Sequence, residues 1–263
     1  MAFFTKMKKI LIILMVVVAL LSCDDTFRPI RKSDLNGHVV GVLGGSFQEM
    51  SARKELKGAH LRSFPSNKEL LEGLVAGDCE AVYVDQFVTL NPAFNKYNVR
   101  VAFNDKDRMP IAGALRKDDV EMQKRFNKYL RDIKANGLYV NMKNYWMNTS
   151  RPDTMPRREI PVPKGVVLRG TLRVGIDGEL IPLSMYRNGE WVGLERENWE
   201  RFAATIGKKV EFVVYDFNDL IPALEKGEID AIASSMTVTD ERAQRVLFTD
   251  PYATSNSVCL VRK

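Results

Sequence analysis

The sequence predicts an α/β fold, and three observations carry that prediction. Short apolar runs alternate with segments whose apolar residues recur at helical spacing. Capping and stop residues sit where strands hand over to helices. A proline-rich stretch without periodicity divides the alternation into two parts. Strands joined one by one through helices form a mostly parallel sheet.

The chain opens with Lys6, Lys8 and Lys9, followed by an apolar run from Ile10 to Leu21. That run is short of the about 20 residues a membrane helix needs. A charged stretch ahead of a short apolar one is a secretory signal. It ends in Leu20-Leu21-Ser22-Cys23, which is similar to a lipobox. Residues 1–22 are therefore expected to be a lipoprotein signal peptide, Cys23 the lipidated residue, and residues 23–36 a polar tether.

The first part of the alternation follows. His38–Leu43 is a strand leading into Gly44-Gly45-Ser46, with a helix from Phe47 to Leu56. Leu61–Phe64 is a strand. Ser66-Asn67 caps a helix through Val75, with Leu70, Leu71, Leu74 and Val75 at helical spacing and Gly77 as its stop. Cys79–Val84 is a buried strand ending at Asp85. A helix or turn passes through Pro92, and Val99–Phe103 is the next strand. Ile111–Leu115 reads as one strand. Val120–Tyr145 reads as two helices split at Asn136-Gly137, one burying Phe126, Tyr129, Leu130 and Ile133, the other Leu138, Met142, Tyr145 and Trp146.

Residues 148–164 carry Pro152, Pro156, Pro161 and Pro163 and read as a linker. Beyond it, Leu172–Ile176 is a strand and Glu190–Gly193 a turn. Glu195–Ile206 is a helix with Trp199, Phe202 and Ile206 inward. Val210–Val214 is a strand, Leu220–Leu224 starts a helix ending near Lys226-Gly227, and Ala231–Ala233 and Ser257–Val261 are strands.

Composition excludes several classes of function. The net charge of +6 includes the three lysines ahead of the apolar run, and no acid lies within residues 1–22, so the mature chain carries +3. That is no nucleic-acid footprint. Of 3 cysteines, Cys79 and Cys259 lie in apolar runs and read as buried, inert thiols. There is no C-x-x-C pair for zinc or redox chemistry. The 2 histidines, His38 and His60, have no nearby nucleophile. No metal or other cofactor is expected.

One motif carries chemistry. Ser234-Ser235-Met236-Thr237-Val238-Thr239-Asp240-Glu241-Arg242 runs on to Phe248-Thr249-Asp250-Pro251-Tyr252. A planar guanidinium offers two parallel charge-assisted bonds to a carboxylate and stays charged when dehydrated. The plain alternative is a helix start, with Thr239 as N-cap and Arg242 in a surface salt bridge. The motif resembles the ligand loop of the bacterial extracellular solute-binding proteins, family 3, which feed amino acids to ABC importers. Gly170 to Lys263 looks like that family's first segment, through Gly170-Thr171-Leu172-Arg173-Val174-Gly175, Trp191-Val192-Gly193-Leu194 and Gly227-Glu228-Ile229-Asp230-Ala231. Leu35 to Trp146 looks like its second segment, through Leu35-Asn36-Gly37-His38-Val39-Val40-Gly41-Val42 and Gly77-Asp78-Cys79-Glu80-Ala81-Val82-Tyr83-Val84-Asp85. The two stand in reversed order, as in a circular permutation, with the linker joining the family's original ends.

The resemblance implies a permuted, type II periplasmic-binding-protein-like fold of two lobes. Residues 37–110 would form the small lobe and residues 111–263 the large one, with a single crossing near Arg108–Ile111. It also implies a ligand site. Arg242, Thr237 and Ser235 match the positions that hold an α-carboxylate. Asp85 matches the group that takes the α-ammonium. Gly45, Ser46 and Phe47 match a turn at a helix start whose amides reach the carboxylate. Asp177 matches a polar position and Phe217 an aromatic wall. Leu180, Leu183 and Phe47 depart from the family's usual residues and would reshape the pocket. Arg196 and Asn198 stand where the family's first helix is often apolar.

The implied function is a non-enzymatic, lipid-anchored binding protein outside the cytoplasm. It would be a monomer that takes an amino acid or similar small zwitterion to an ABC importer permease, held to a membrane through lipid alone. The alternatives are an enzyme on the same fold, similar to cyclohexadienyl dehydratase, and a sensor domain related to the non-catalytic domain of lytic transglycosylases.

Overall fold

The computed structural model describes residues 27–149, 154–178 and 180–263. The expected signal peptide, the Cys23 lipidation site and residues 150–153 of the linker lie outside them. The first part of the chain runs β1 (Val39–Leu43), α1 (Phe47–Glu55), β2 (His60–Phe64), α2 (Asn67–Ala76), β3 (Ala81–Asp85) and β4 (Val99–Asn104). Next come β5 (Met109–Ile111), β6 (Ala114–Arg116), α3 (Val120–Ala135) and α4 (Leu138–Met147). After the linker the order is β7 (Thr171–Ile176), β8 (Met185–Arg187), β9 (Glu190–Val192), α5 (Leu194–Thr205), β10 (Lys209–Val214), α6 (Leu220–Glu225) and β11 (Ala231–Ile232). The chain continues through α7 (Asp240–Ala243), β12 (Val246–Phe248), β13 (Ala253–Ser255) and β14 (Ser257–Arg262).

Local chemistry sets the helix ends. Ser46 and Ser66 each accept the amide three residues on, from Glu49 and Glu69, so α1 and α2 both begin on a Ser-x-x-Glu capping pattern. Gly77 ends α2 at φ 89°, and Gly137 at φ 79° turns α3 into α4. The buried face of α3 is the expected one, whereas on α4 Tyr139 joins Met142 and Trp146 in the core and Leu138 and Tyr145 are only half-buried, because the helix presents its face one residue further round. Phe126, Tyr129, Leu130 and Ile133 of α3 pack with Trp199 and Phe202 of α5 and with Met142 and Trp146 of α4 in the main core cluster. Cys79 and Cys259 are buried free thiols, as their apolar surroundings predict.

The strands make two five-stranded sheets of the same pattern. One has the order β2-β1-β3-β14-β4 and the other β10-β7-β11-β6-β12. In each, three strands are parallel, and the fourth position holds a strand antiparallel to both neighbours. That strand comes from the other part of the chain. β14 completes the first sheet and β6 the second.

This exchange corrects the expected division into lobes. Residues 111–263 do not form one unit, because β14 pairs with β3 and β4 along its whole length. The chain crosses between the sheets twice, through residues 105–113 and through residues 249–256. The crossings pair as the antiparallel ribbon β5–β13. The expected tether also differs over its described residues. Lys32–Leu35 is a 3₁₀ turn, Leu35 is fully buried among Val40, Val42 and Leu56, and Lys32 pairs with Glu55 and Asp105. An apolar side chain that fills a core position docks the segment against the sheet.

Three smaller differences have local causes. The single strand expected over Ile111–Leu115 is two, β5 and β6, which serve different sheets. Between them Gly113 lies so close to the Trp199 ring that a Cβ would sit 2.5 Å from it. The turn expected at Glu190–Gly193 is strand β9, paired with β8 in a hairpin. Its turn is Asn188-Gly189, both at positive φ, the two-residue type that Asn-Gly favours. The linker residues 154–164 are seated rather than free. Tyr145 donates to the Pro156 carbonyl at 2.9 Å, Arg158 pairs with Glu197 at 3.3 Å, and Arg157 reaches Glu190 and Glu200. Arg196 is buried beside its ion-pair partner Glu200, and Asn198 accepts from the Tyr129 hydroxyl, which accounts for these polar residues within α5.

Candidate functional site

The site lies where parallel strands end. β1 ends before Gly44-Gly45-Ser46, β3 ends at Asp85, β7 ends before Asp177, and β11 ends before the loop Ser234–Thr237. In open α/β sheets the carboxyl ends of the strands are the ligand edge. Here the edges of the two sheets face each other across a cleft.

Arg242 shows how the local sequence aims a side chain. Thr239 caps α7 and accepts the Arg242 amide at 3.2 Å, so the helix-start reading of the motif holds for the backbone. The guanidinium makes no surface salt bridge. It is 5% exposed and donates to the Thr237 carbonyl and, across the cleft, to the Gly45 carbonyl, each at 2.8 Å. It lies over the Phe217 ring at 5.3 Å. Both acceptors are neutral, and no carboxylate pairs with it among the described residues. Burial pushes its ionisation down to about 10.

The opposite edge holds the opposite charge. Asp85 accepts from the Ser255 hydroxyl at 2.5 Å and the Phe87 amide at 2.8 Å, and so also caps the 3₁₀ turn Gln86–Leu90. No cation pairs with it among the described residues. Burial pushes its carboxyl up to about 6. Asp177 accepts from the Ser234 hydroxyl, and burial raises its carboxyl as well.

Ser46, Phe47, Asp85, Asp177, Phe217, Ser235 and Thr237 line one cavity, together with Leu180. Gly45 and Arg242 meet at its edge through their hydrogen bond. The structure thus brings together all nine residues that the sequence nominated. Leu183 faces a neighbouring chamber of about 220 Å³ on the hinge side, between β5, β13 and α4. A groove of about 470 Å³ between α3, α5 and Pro161 holds none of the nine.

The cleft is closed. Its cavity is about 30 Å³, room for about two waters, against the 300 Å³ or more of a typical ligand pocket. Phe47 fills part of the space. Asn218 of one lobe presses on the Gly44-Gly45 turn of the other, so that a Cβ on Gly45 would lie 1.7 Å from the Asn218 Oδ1. Gly45 also sits at φ 67°, where a side chain is strained. A ligand enters only if the lobes part.

The sequence reading missed one group beside the loop. Glu195, 2% exposed, accepts the Ser235 amide at 3.0 Å and the Tyr252 hydroxyl. Burial pushes its carboxyl up to about 7. An acid in the first turn of a helix reads as a solvated partner of the helix dipole. Its place directly after Gly193-Leu194, at the head of an otherwise buried face, was the available signal.

Comparison with known proteins finds relatives for the C-terminal part of the chain. Residues 172–263 match the family described as bacterial extracellular solute-binding proteins, family 3. A protein of Campylobacter jejuni described as "Probable histidine-binding protein" is 39% identical over 93 residues, 35% of this chain and 36% of that one. The lysine/arginine/ornithine-binding periplasmic protein of Escherichia coli is 33% identical over 94 residues, 35% of this chain and 36% of that one. Among solved structures, an ancestral arginine-binding protein bound to arginine is 42% identical, covering 33% of this chain and 38% of that one, with a TM-score of 0.31. The chain spans about a third of the length of the curated relatives it matches.

The Asp85 environment sets a pH dependence. The unfolded chain ionises Asp85 near 3.8, and the fold delays this to about 6. The folded state therefore holds the proton more tightly, and that stabilisation is lost as pH rises from about 4 to about 6. Its size is of order 3 kcal/mol. Urea unfolding of wild type and Asp85→Asn at pH 4, 5, 6 and 7 measures it. The stability of wild type relative to the variant should fall across the window. A constant difference would show that Asp85 ionises normally in the fold.

Proposed function

On the premise that residues 172–263 belong to bacterial extracellular solute-binding protein family 3, we propose that the chain binds an amino acid in the cleft between its two lobes. It would act as a receptor for an ABC importer rather than as an enzyme, and needs no cofactor. The observation that carries this reading is the pair of unpaired opposite charges, Arg242 buried and Asp85 half-buried. Arg242 lies on one lobe with only carbonyl oxygens as acceptors, and Asp85 lies on the other with only neutral donors. A buried charge without a counter-charge is costly, and a zwitterion supplies both partners at once. The cleft's second carboxylate, Asp177, makes the acids outnumber Arg242 and favours an amino acid with a cationic side chain. Relatives named for histidine and for lysine, arginine and ornithine support that choice.

The rest of the reading concerns order and anchorage. The chain is a circularly permuted member of its family, a monomer, held to a membrane by lipid on Cys23. The repeated strand pattern of the two sheets and the reversed segment order support permutation. Lys6, Lys8 and Lys9 ahead of the apolar run that ends at Cys23 support the anchor.

Calorimetry tests the binding reading. L-arginine, L-lysine, L-histidine and the remaining amino acids are titrated into wild type, Arg242→Ala and Asp85→Asn. Removing either partner leaves a ligand charge buried and unpaired, a loss of about 3–5 kcal/mol, or roughly a hundredfold to several thousandfold in affinity. Near-wild-type affinity in both variants would place the ligand elsewhere. A re-joined chain tests permutation. It would begin near Gly170, run from Lys263 directly into Leu35 and end near Trp146. It should fold and bind as the original does, and a chain that stays unfolded would count against it. Cys23→Ser should abolish incorporation of labelled fatty acid; undiminished labelling would rule out that anchor.

A further inference from the structure

Glu195 lies beneath the ligand loop rather than in the cavity. It is the second residue of α5, and its Oε1 accepts the Ser235 amide at 3.0 Å, the Ser235 hydroxyl at 3.4 Å and the Tyr252 hydroxyl. Three donors on one buried oxygen is an unusual concentration. The other titratable groups near it are the Tyr139 phenol and the Asp177 carboxylate. On its own helix, Arg196 turns to Glu200, and Glu197 turns to Trp146, Arg158 and Arg201. No cation pairs with Glu195 among the described residues.

What Glu195 holds is strained. Ser235 has φ 46°. Among the described residues the only other non-glycine at positive φ is Asn188, in the hairpin turn that favours Asn. Ser235 has no such turn to favour it. It stands between Ser234, which donates to Asp177, and Thr237, whose carbonyl accepts from Arg242. Its side lines both the cleft cavity and the hinge-side chamber. A backbone conformation of this kind persists only where its surroundings impose it.

We propose that Glu195 is the positioning residue of the ligand loop, its carboxyl clamping Ser235 in the left-handed conformation so that the loop faces the cleft ready-formed. Glu195 touches no ligand; it acts through Ser235. The clamp responds to pH. Burial brings the carboxyl's ionisation to about 7, so near neutrality it passes from a neutral acceptor to a charged one as its proton leaves to solvent. Hydrogen bonds to an ionised acceptor are the stronger kind. The clamp therefore tightens as pH rises through about 7. Its effect on ligand affinity rests on the function proposed above, whereas the clamp itself does not.

Hydrogen exchange at the Ser235 amide in the ligand-free full chain is the direct test. Glu195→Ala should lower its protection about tenfold or more. In wild type the protection should rise from pH 6 to pH 8, and in Glu195→Gln, which keeps a neutral acceptor, it should stay flat. Unchanged protection in Glu195→Ala, or a pH response in Glu195→Gln equal to wild type, would overturn the clamp. If Glu195→Ala fails to fold, the Gln comparison decides alone. Adding Ser235→Gly, which removes the left-handed strain, should make the Glu195→Gln change less damaging to thermal stability than it is alone. Strict additivity would overturn the link to Ser235. A final arm titrates L-arginine into wild type and Glu195→Gln at pH 6 and pH 8. A pH-dependent gap between them is expected. An equal affinity in the two at both pH values overturns the affinity role. No L-arginine binding to wild type rejects L-arginine as a cleft ligand, while the exchange data still judge the clamp.

Discussion

A guanidinium buried between two lobes, with no carboxylate paired to it among the described residues, is the constraint on which the rest of the structure depends. Arginine does not shed its proton to relieve burial. The Thr237 and Gly45 carbonyls give Arg242 neutral acceptors, and its charge is offset only through space, by its neighbour Glu241. A unit counter-charge about 4 Å away contributes about 4 kcal/mol at the effective dielectric of a protein surface. The local architecture keeps the group there. Thr239 starts α7 one turn ahead of it, Phe217 lies against its face, and the Gly44-Gly45 turn brings a carbonyl to its far side. The closed cleft is thus held by a bond that, on the function proposed above, an incoming carboxylate would replace with a stronger one of the same direction. Ligand and closure would then be coupled, because the ligand would gain most from the state in which Arg242 is driest.

The topology supplies the means of opening. Each sheet borrows its one antiparallel inner strand from the other part of the chain, β14 in one direction and β6 in the other. Neither sheet is complete without the exchange. The two crossings run side by side as β5 and β13, so relative motion of the lobes is concentrated in one short ribbon. Because the candidate site residues stand at the carboxyl ends of β1, β3, β7 and β11, a rotation about that ribbon would separate Arg242 from Gly45 and Asp85 from Asp177 without disturbing either sheet.

Much of this was legible in the sequence, for identifiable reasons. The helices announced themselves through Ser46 and Glu49, Ser66 and Glu69, and the glycines at 77 and 137. The cleft residues were nominated through resemblance to the family's ligand positions; of them only Arg242 carried a chemical signal of its own. The lobe boundary was not legible. Ser257–Arg262 is a plain apolar strand, and periodicity says that a strand is buried, not which sheet buries it. Leu35 looked like part of a polar segment because a single apolar residue gives no period. The β8–β9 hairpin was marked by Asn188-Gly189, but its strands are three residues each, too short to alternate visibly. Glu195 was hidden because an acid early in a helix has an ordinary explanation, and only the fold places Ser235 and Tyr252 against it.

The most direct measurement is a crystal structure of the protein with the amino acid that binds it most tightly in a thermal-shift screen. The α-carboxylate should lie about 3 Å from the Arg242 guanidinium, in place of the Gly45 carbonyl, with the α-ammonium on Asp85 and the lobes closed around both. A screen in which no amino acid binds, or a structure in which Arg242 still donates to Gly45 while the ligand sits elsewhere, would contradict that placement.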